Sequence, residues 1–559
     1  MSASDSEKRA EEGDSDGGGG GGEGGGGAVG GELLYCGGTS WETMGRKVVG
    51  GATGNLVAPT RLRPLVGVDV RFVASGCTAC HCVALDVEGR CYTWGRNEKG
   101  QLGHGDTLHR SLPTIVSQLS KYKIVKASVG KNHTVVVTED GKSFSFGMNK
   151  HGQLGTGSVK NEIEPSPLPC LVSEVTNAVC GADFTVWLSS VEGSSILTAG
   201  LPQYGQLGHG TDNEYNAKDS SVKLAYEPQP RPRAIATFSE KTVVKVACGT
   251  NHTVAVDSNG FVYTWGFGGY GRLGHREQKD EWVPRLVEVF QRHNVLPPNA
   301  VVSAGATNSA CTGGGGQLYM WGKLKTTGDD WMYPKPLMDL SGWNIRCMAS
   351  GNMHHVVGAD DSCISWGHAL YGELGYGPLG QKSSANPKKV DILDGMNVTS
   401  VGCGYGFSLI VVDRTNAGDR LEQLEIYDGD PSSEGVEKSN NANAAATKNT
   451  PTTAKSSARN SKRRKKDLSE SEEEEEEEMD DDDDADEDDD DGDEDDDEDA
   501  NGDAKRGRKP SSRGRGGGGG KRGRGRPKAA ERSANEKPAS SGRGRGRGRS
   551  GKRGRPGRR

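Results

Sequence analysis

One phrase recurs along the chain. KGQLGHG, from Lys99 to Gly105, returns as HGQLGTG, YGQLGHG, YGRLGH and YGELGYG. The central leucines are Leu102, Leu154, Leu207, Leu273 and Leu374, so the gaps are 52, 53, 66 and 101 residues. The last gap covers two periods, with a degenerate copy near WGKLKTTGDDW, and a weaker copy, ETMG, lies at Glu42 to Gly45. Seven copies of about 50 residues confine the fold to a repeat architecture.

A second phrase gives the same count. VACGTNHTVAVDSNGFVYTWG (Val246 to Gly266) has relatives starting near Gly76, Gly130, Gly181, Gly305, Gly351 and Gly404. Within it, Val254 and Val256 share one face, and Phe261, Tyr263 and Trp265 share another. This period of two marks strands, and Asn259-Gly260 and Asp140-Gly141 are turn dipeptides. Each repeat therefore reads as a small antiparallel sheet. The fold class is all-β, a seven-bladed β-propeller. ELLYCGG (Glu32 to Gly38) is the second strand of a hairpin without its first, and GYGFSLIVV (Gly404 to Val412) is the first without its second. Pairing of these N- and C-terminal strands closes the ring and removes two open sheet edges. The interval Thr211–Phe238 is longer than in other repeats and predicts a loop insertion, either functional or merely tolerated.

Charge divides the rest of the chain. The formal net charge is −8. Asp467 to Asp503 holds 28 acidic and no basic residues, and Lys505 to Arg559 holds 22 basic and 2 acidic. The remaining 47 basic and 47 acidic residues leave the body neutral. Residues 1–31 and 416–559 lack the apolar side chains needed to offset chain entropy and are expected to be disordered. The organisation expected is a Gly/Glu-rich tail (1–31), a propeller (32–415), a linker (416–466), an acidic run (467–503) and a basic Gly/Arg-rich tail (504–559). No apolar leader and no run of about 18 apolar residues is present, so neither export nor membrane insertion is expected. The 12 cysteines, spread from Cys36 to Cys403, read as reduced core residues.

Several motifs are better explained by the repeat. CTACH (Cys77 to His81) matches a haem-attachment pattern, but His81 is in phase with His133 and His252. GFGGYG (Gly266 to Gly271) fits a dinucleotide fingerprint without the parallel βαβ unit that such a site needs. The NHT sequons at Asn132 and Asn251 fall within repeat strands of a chain with no export leader. No cofactor and no metal site is expected.

The stretches ELLYCGGTSWETMGRK, TWGRNEKGQLGHGD and WGFGGYGRLGHREQKDEWVPRLV resemble the regulator-of-chromosome-condensation repeat family over Glu32 to about Val412. The resemblance implies nuclear or mitotic roles, chromatin contact and, in some members, guanine-nucleotide exchange on a small GTPase. Family exchange factors place an acid and a histidine at a loop–strand junction. Asp183 in CGADFTV and His252 in CGTNHTV occupy that pattern here and are the exchange candidates. Such exchange needs no covalent chemistry.

The C-terminal tail carries its own signal. KRGRGRPK (Lys521 to Lys528), KRGRP (Lys552 to Pro556) and the weaker KRGRKP (Lys505 to Pro510) resemble the AT-hook. Glycine lets an extended backbone lie deep in the minor groove, where the negative potential of A·T tracts attracts arginine. The DNA-binding candidates are Arg506, Arg508, Arg524, Arg526, Arg553 and Arg555. SGRGRGRGRSG (Ser541 to Gly551) suits generic RNA contact better. Lys462, Arg463, Arg464, Lys465 and Lys466 form a nuclear-localisation candidate. The acidic run reads as a solvated spacer, or as a polyanion engaging histones or the basic tail. Ser469 and Ser471, in LSESEEE near its start, are phosphorylation candidates. The function expected is a nuclear, chromatin-associated adaptor whose propeller binds a protein and whose tail binds A·T-rich DNA. The alternatives are an exchange factor for a small GTPase and an RNA-associated scaffold.

Overall fold

A computed structural model describes residues 30–46, 54–217, 224–415 and 417–429. Each repeat forms four consecutive antiparallel strands. The second repeat shows the pattern in Ile124–Val129, His133–Thr138, Ser143–Met148 and Ile163–Pro169. The other blades occupy 70–115, 175–234, 243–286, 302–336 and 345–389, and a seventh is shared between the chain ends. First strands of all seven blades line one central cavity, so they are innermost. Loops joining first to second and third to fourth strands emerge on one side, here the upper face. The remaining loops form the lower face.

The shared blade closes as the sequence predicts. Gly31–Gly37 pairs with Phe407–Asp413 in an unbroken antiparallel register, from Gly31 opposite Asp413 to Gly37 opposite Phe407. Alternation then buries both faces of the pair. Leu33, Tyr35, Phe407, Leu409 and Val411 pack toward the first blade, whereas Leu34, Cys36, Ile410 and Val412 pack toward the sixth. Tyr35 stacks on Phe407 at 5.5 Å between ring centroids. Leu102, Leu154, Leu207, Leu273 and Leu374 of the recurring phrase are all buried, and Met44 of ETMG is buried too.

Two expected boundaries need correction. The first strand begins at Gly31 rather than Glu32. More substantially, the chain does not leave the body at residue 415. A short helix, Gly418–Glu422, buries Leu421, with Ala417 beside it, between the sixth and seventh blades. Ile426–Tyr427 then pairs in parallel with Arg61 and Leu62 of the outermost strand of the shared blade. Arg414 anchors this strap to Glu32 at 2.6 Å, and the same carboxylate receives Arg61 at 3.0 Å. Composition hid the strap because its burial depends on two apolar residues within a polar stretch. The insertion within 211–238 carries a small hairpin, Glu214–Asn216 with Leu224–Tyr226. Asn132 and Asn251 lie in loops just before their strands, not within them.

Glycines set how closely the blades approach. Gly249, one of the phase-marking glycines, faces the His252 ring and the Gly305 carbonyl so closely that a Cβ would overlap both. Gly130 and Gly351 meet His133 and His354 in the same way. Gly249→Ala is therefore expected to cost about 3 kcal/mol or more, by forcing backbone apart between two blades. Urea unfolding followed by near-ultraviolet circular dichroism measures it.

Candidate interaction face

The upper face is organised by a polar relay that recurs at four of the seven joints between blades. His81 Nε2 lies 2.8 Å from the Thr134 hydroxyl of the second blade, and Thr134 donates to the Gln101 carbonyl of the first at 2.8 Å. His133, Thr185 and the Gln153 carbonyl repeat this at 2.9 and 2.7 Å. His252 with Ser309 and the Arg272 carbonyl repeats it again, as does His354 with Ser408 and the Glu373 carbonyl. The hydroxyl has one proton and gives it to the carbonyl. The histidine must therefore donate through Nε2, leaving Nδ1 bare. In all four histidines Nδ1 is buried without a hydrogen-bond partner.

Burial makes these rings reluctant to charge. It holds His81 and His133 down at about 3 and His354 at about 4, and it pushes His252 well below the usual imidazole range. A second set sits in the recurring phrase itself. His104, His209 and His275 each bond a third-strand threonine at 2.9 Å and are held at about 4, first by burial and then by a nearby arginine.

The two exchange candidates separate here. His252 is fully buried, with its one donor engaged by Ser309, so it presents nothing to a partner on this surface. It is a structural clasp like His81 and His133. Asp183 is half-buried in an upper-face loop. It stands where its neighbours carry Asn132 and Asn251, and it receives Gln153 Nε2 at 3.3 Å, much as Asn132 receives Gln101 at 3.4 Å. The Asp183 carbonyl also accepts from Leu201 N at 2.9 Å. Thus Asp183 both joins two blades and reaches the surface.

Beside it lies a cluster that the motif analysis passed over. Tyr204 of the third blade meets Phe267 of the fourth, with centroids 4.7 Å apart. The Arg272 guanidinium lies 4.6 Å from the Phe267 ring and 5.3 Å from Tyr270, and Lys323 of the fifth blade lies 4.8 Å from Tyr270. Tyr270 has φ 58°, a left-handed conformation costly for a tyrosine. It is 36% exposed, and Trp282 nearby on the fourth blade is 43% exposed. The signal was present in GFGGYGR, where the first repeat reads GRNEKGQ. Gly268 replaces the Asn97 that pins that loop elsewhere, and Asp280 accepts the Gly268 N–H at 2.7 Å instead.

Lys462 to Lys466, Ser469, Ser471, Arg506, Arg508, Arg524, Arg526, Arg553 and Arg555 lie outside the described residues. Cys80 and His81 of the haem-like motif are both buried, the imidazole in the relay and the thiol donating to the Met44 carbonyl.

Seven blades locked by a repeated histidine–hydroxyl–carbonyl relay define a repeat propeller that presents its loops as a broad binding face. Comparison places it within one class of such repeats. The model for the Regulator of chromosome condensation (RCC1) repeat matches residues 88–137, 140–188, 195–256, 259–312 and 360–411. Protein RCC2 of Mus musculus is 42% identical over 423 residues, covering 71% of this chain and 80% of that protein. The crystal structure of human WBSCR16 superposes with a TM-score of 0.55 at 20% identity, covering 68% of this chain and 99% of that one. Prp20p of Saccharomyces cerevisiae gives 0.53 at 19% identity, covering 71% and 94%. The chain belongs to the regulator of chromosome condensation repeat family.

The relay has a pH signature. The folded histidines titrate near 3 to 4, whereas unfolded imidazole titrates near 6.5. The unfolded chain thus binds more protons, so stability is full above about pH 6.5 and falls as pH drops toward the folded values. Melting temperature is expected to fall steadily from pH 7 to pH 4. His133→Phe copies the phenylalanine that the third blade carries at Phe184. It should flatten this slope while costing about 1 to 2 kcal/mol at pH 7, read from melts across the pH range.

Proposed function

We propose that the protein is a nuclear, chromatin-associated adaptor. Its upper face binds a protein partner, and its basic tail tethers the assembly to A·T-rich DNA. The cation–aromatic cluster at blades three to five carries the partner-binding half, because exposed aromatics beside cations form strong contact sites. Membership in a family described by chromosome condensation supports the chromatin half. The yeast neighbour is described as binding Gsp1p and histones, and that description belongs to that protein. It makes histones and a small GTPase the first partners to test.

The tail reading rests on Arg524, Arg526, Arg553 and Arg555 in their glycine–proline contexts. Replacing these four with alanine is expected to weaken A·T-duplex binding by at least about tenfold and to remove the preference over G·C duplex. The slope of log affinity against log salt should shallow by about 3 to 4, at roughly 0.9 per lost phosphate contact. Fluorescence anisotropy over a salt series reads both. Equal loss on single-stranded RNA, with no A·T preference in the parent, would instead favour the RNA-scaffold reading.

Asp183 favours the exchange reading through its place on the upper face beside the aromatic cluster. Fluorescent-nucleotide release from purified small GTPases tests it directly. Acceleration by the full chain, lost in Asp183→Ala and in Tyr270→Ala, would establish exchange. Binding of a partner abolished by Tyr270→Ala, with no acceleration of release, would leave an adaptor.

A further inference from the structure

The innermost strands carry a one-sided charge. They run Val70–Ala74, Ile124–Val129, Val175–Cys180, Val243–Cys248, Val302–Ala304, Ile345–Ser350 and Val398–Cys403. Together they hold Arg71, Lys126, Lys245 and Arg346, and no aspartate or glutamate. In a body with equal numbers of acidic and basic residues, this local excess stands out. All four cations occupy the second or third position of their strands, which is the lower-face end. A register shift at the start of each of these strands sets where their side chains point.

The four cations are not equivalent. Arg71 donates to the Ile124 carbonyl at 2.9 Å, and Arg346 reaches the Val398 carbonyl at 3.4 Å, so both also brace neighbouring blades. Lys126 and Lys245 hold the same position on blades two and four, with Asn177 at that position on blade three between them. Neither ammonium forms an ion pair with a carboxylate among the described residues. The nearby acids are engaged outside the ring: Glu139 with Lys123 and Asp86 with Arg90, both at 2.5 Å. Burial lowers both lysine pKa values, and Arg71 lowers that of Lys126 further. An anion at the mouth would relieve that strain.

The cavity behind this mouth measures about 320 Å³, and Lys126 and Asn177 are among its walls. Its upper end is narrowed by the first blade. There the loop SGCTAC is longer than its counterparts and carries Cys77 to within 3.6 Å of the Thr250 hydroxyl on the fourth blade. The result is a channel with cations at its lower mouth and the first-blade loop reaching across its upper end.

We propose that the lower mouth of the central channel binds a compact, multiply phosphorylated small molecule, held by Lys126, Lys245 and Asn177 with Arg71 behind them. A cavity of about 320 Å³ favours a compact anion over an extended strand, and two lysines without carboxylate partners on blades two and four, with Arg71 acting on Lys126, favour several phosphates over a single carboxylate. This site lies on the face opposite Asp183 and the aromatic cluster and is independent of them.

The basic tail also attracts polyanions, so the readout must come from the propeller. Thermal melting of the full chain, followed by near-ultraviolet circular dichroism, reports ligand bound to the folded ring. Inositol hexakisphosphate and pyrophosphate are the probes. Both are expected to raise the melting temperature of the parent and of the control Lys121→Gln/Lys123→Gln. Lys126→Gln/Lys245→Gln, whose unliganded melt should match the parent, should need at least about tenfold more ligand for the same shift. Lys126→Arg/Lys245→Arg should keep the shift. No shift in the parent, or an equal shift in the glutamine pair, overturns the proposal. So does a shift with a polyglutamate peptide but with neither phosphate probe.

Discussion

Four of the seven propeller joints depend on a hydroxyl that can serve two masters. Thr134, Thr185, Ser309 and Ser408 each accept from a histidine of the preceding blade and donate to a carbonyl of that same blade. One side chain thereby satisfies two buried groups that would each be costly alone. The geometry demands a neutral imidazole in one tautomer, and for His133, His252 and His354 a glycine lies against the ring at the end of a short loop. The recurring His, Gly and Thr or Ser of the sequence are three parts of one joint. Where the relay is interrupted, Phe184 and Phe407 stand in the histidine position on blades three and seven and pack into apolar clusters, and buried Asn308 stands there on blade five.

This explains what the sequence made legible. Repeats were readable because every blade must solve the same joint with the same residue types. Leu102 and its equivalents announced themselves because each is buried in the same way. His252 was misread for the same reason: a histidine at a loop–strand junction looks chemical until its partner, Ser309, is seen 57 residues further along. Asp183 was legible through the resemblance, as an acid at a loop–strand junction where its neighbours carry Asn132 and Asn251. The strap beyond Arg414 was illegible, because its stability comes from Glu32, almost four hundred residues earlier in the chain. No local pattern encodes such a contact.

The two faces divide the work. The upper face carries the joints, Asp183 and the aromatic cluster of blades three to five. The lower face carries the cation ring, the start of Gly31–Gly37 and the end of Phe407–Asp413. Asp428 pairs with Arg63 at 2.5 Å in a lower-face loop, so the strap runs along that rim.

The shared blade also governs how the chain is made. Phe407–Asp413 is the last strand of the ring to leave the ribosome, and its mate, Gly31–Gly37, is the first. Until that late segment emerges, the earliest strand is paired with Leu56–Leu62 on one side alone, and the arc ends in open edges that invite pairing with other nascent chains. Translation that stops anywhere before Asp413 therefore yields an unclosed arc rather than a smaller propeller. Ring closure acts as a length check on synthesis, passed only once Phe407–Asp413 has been made.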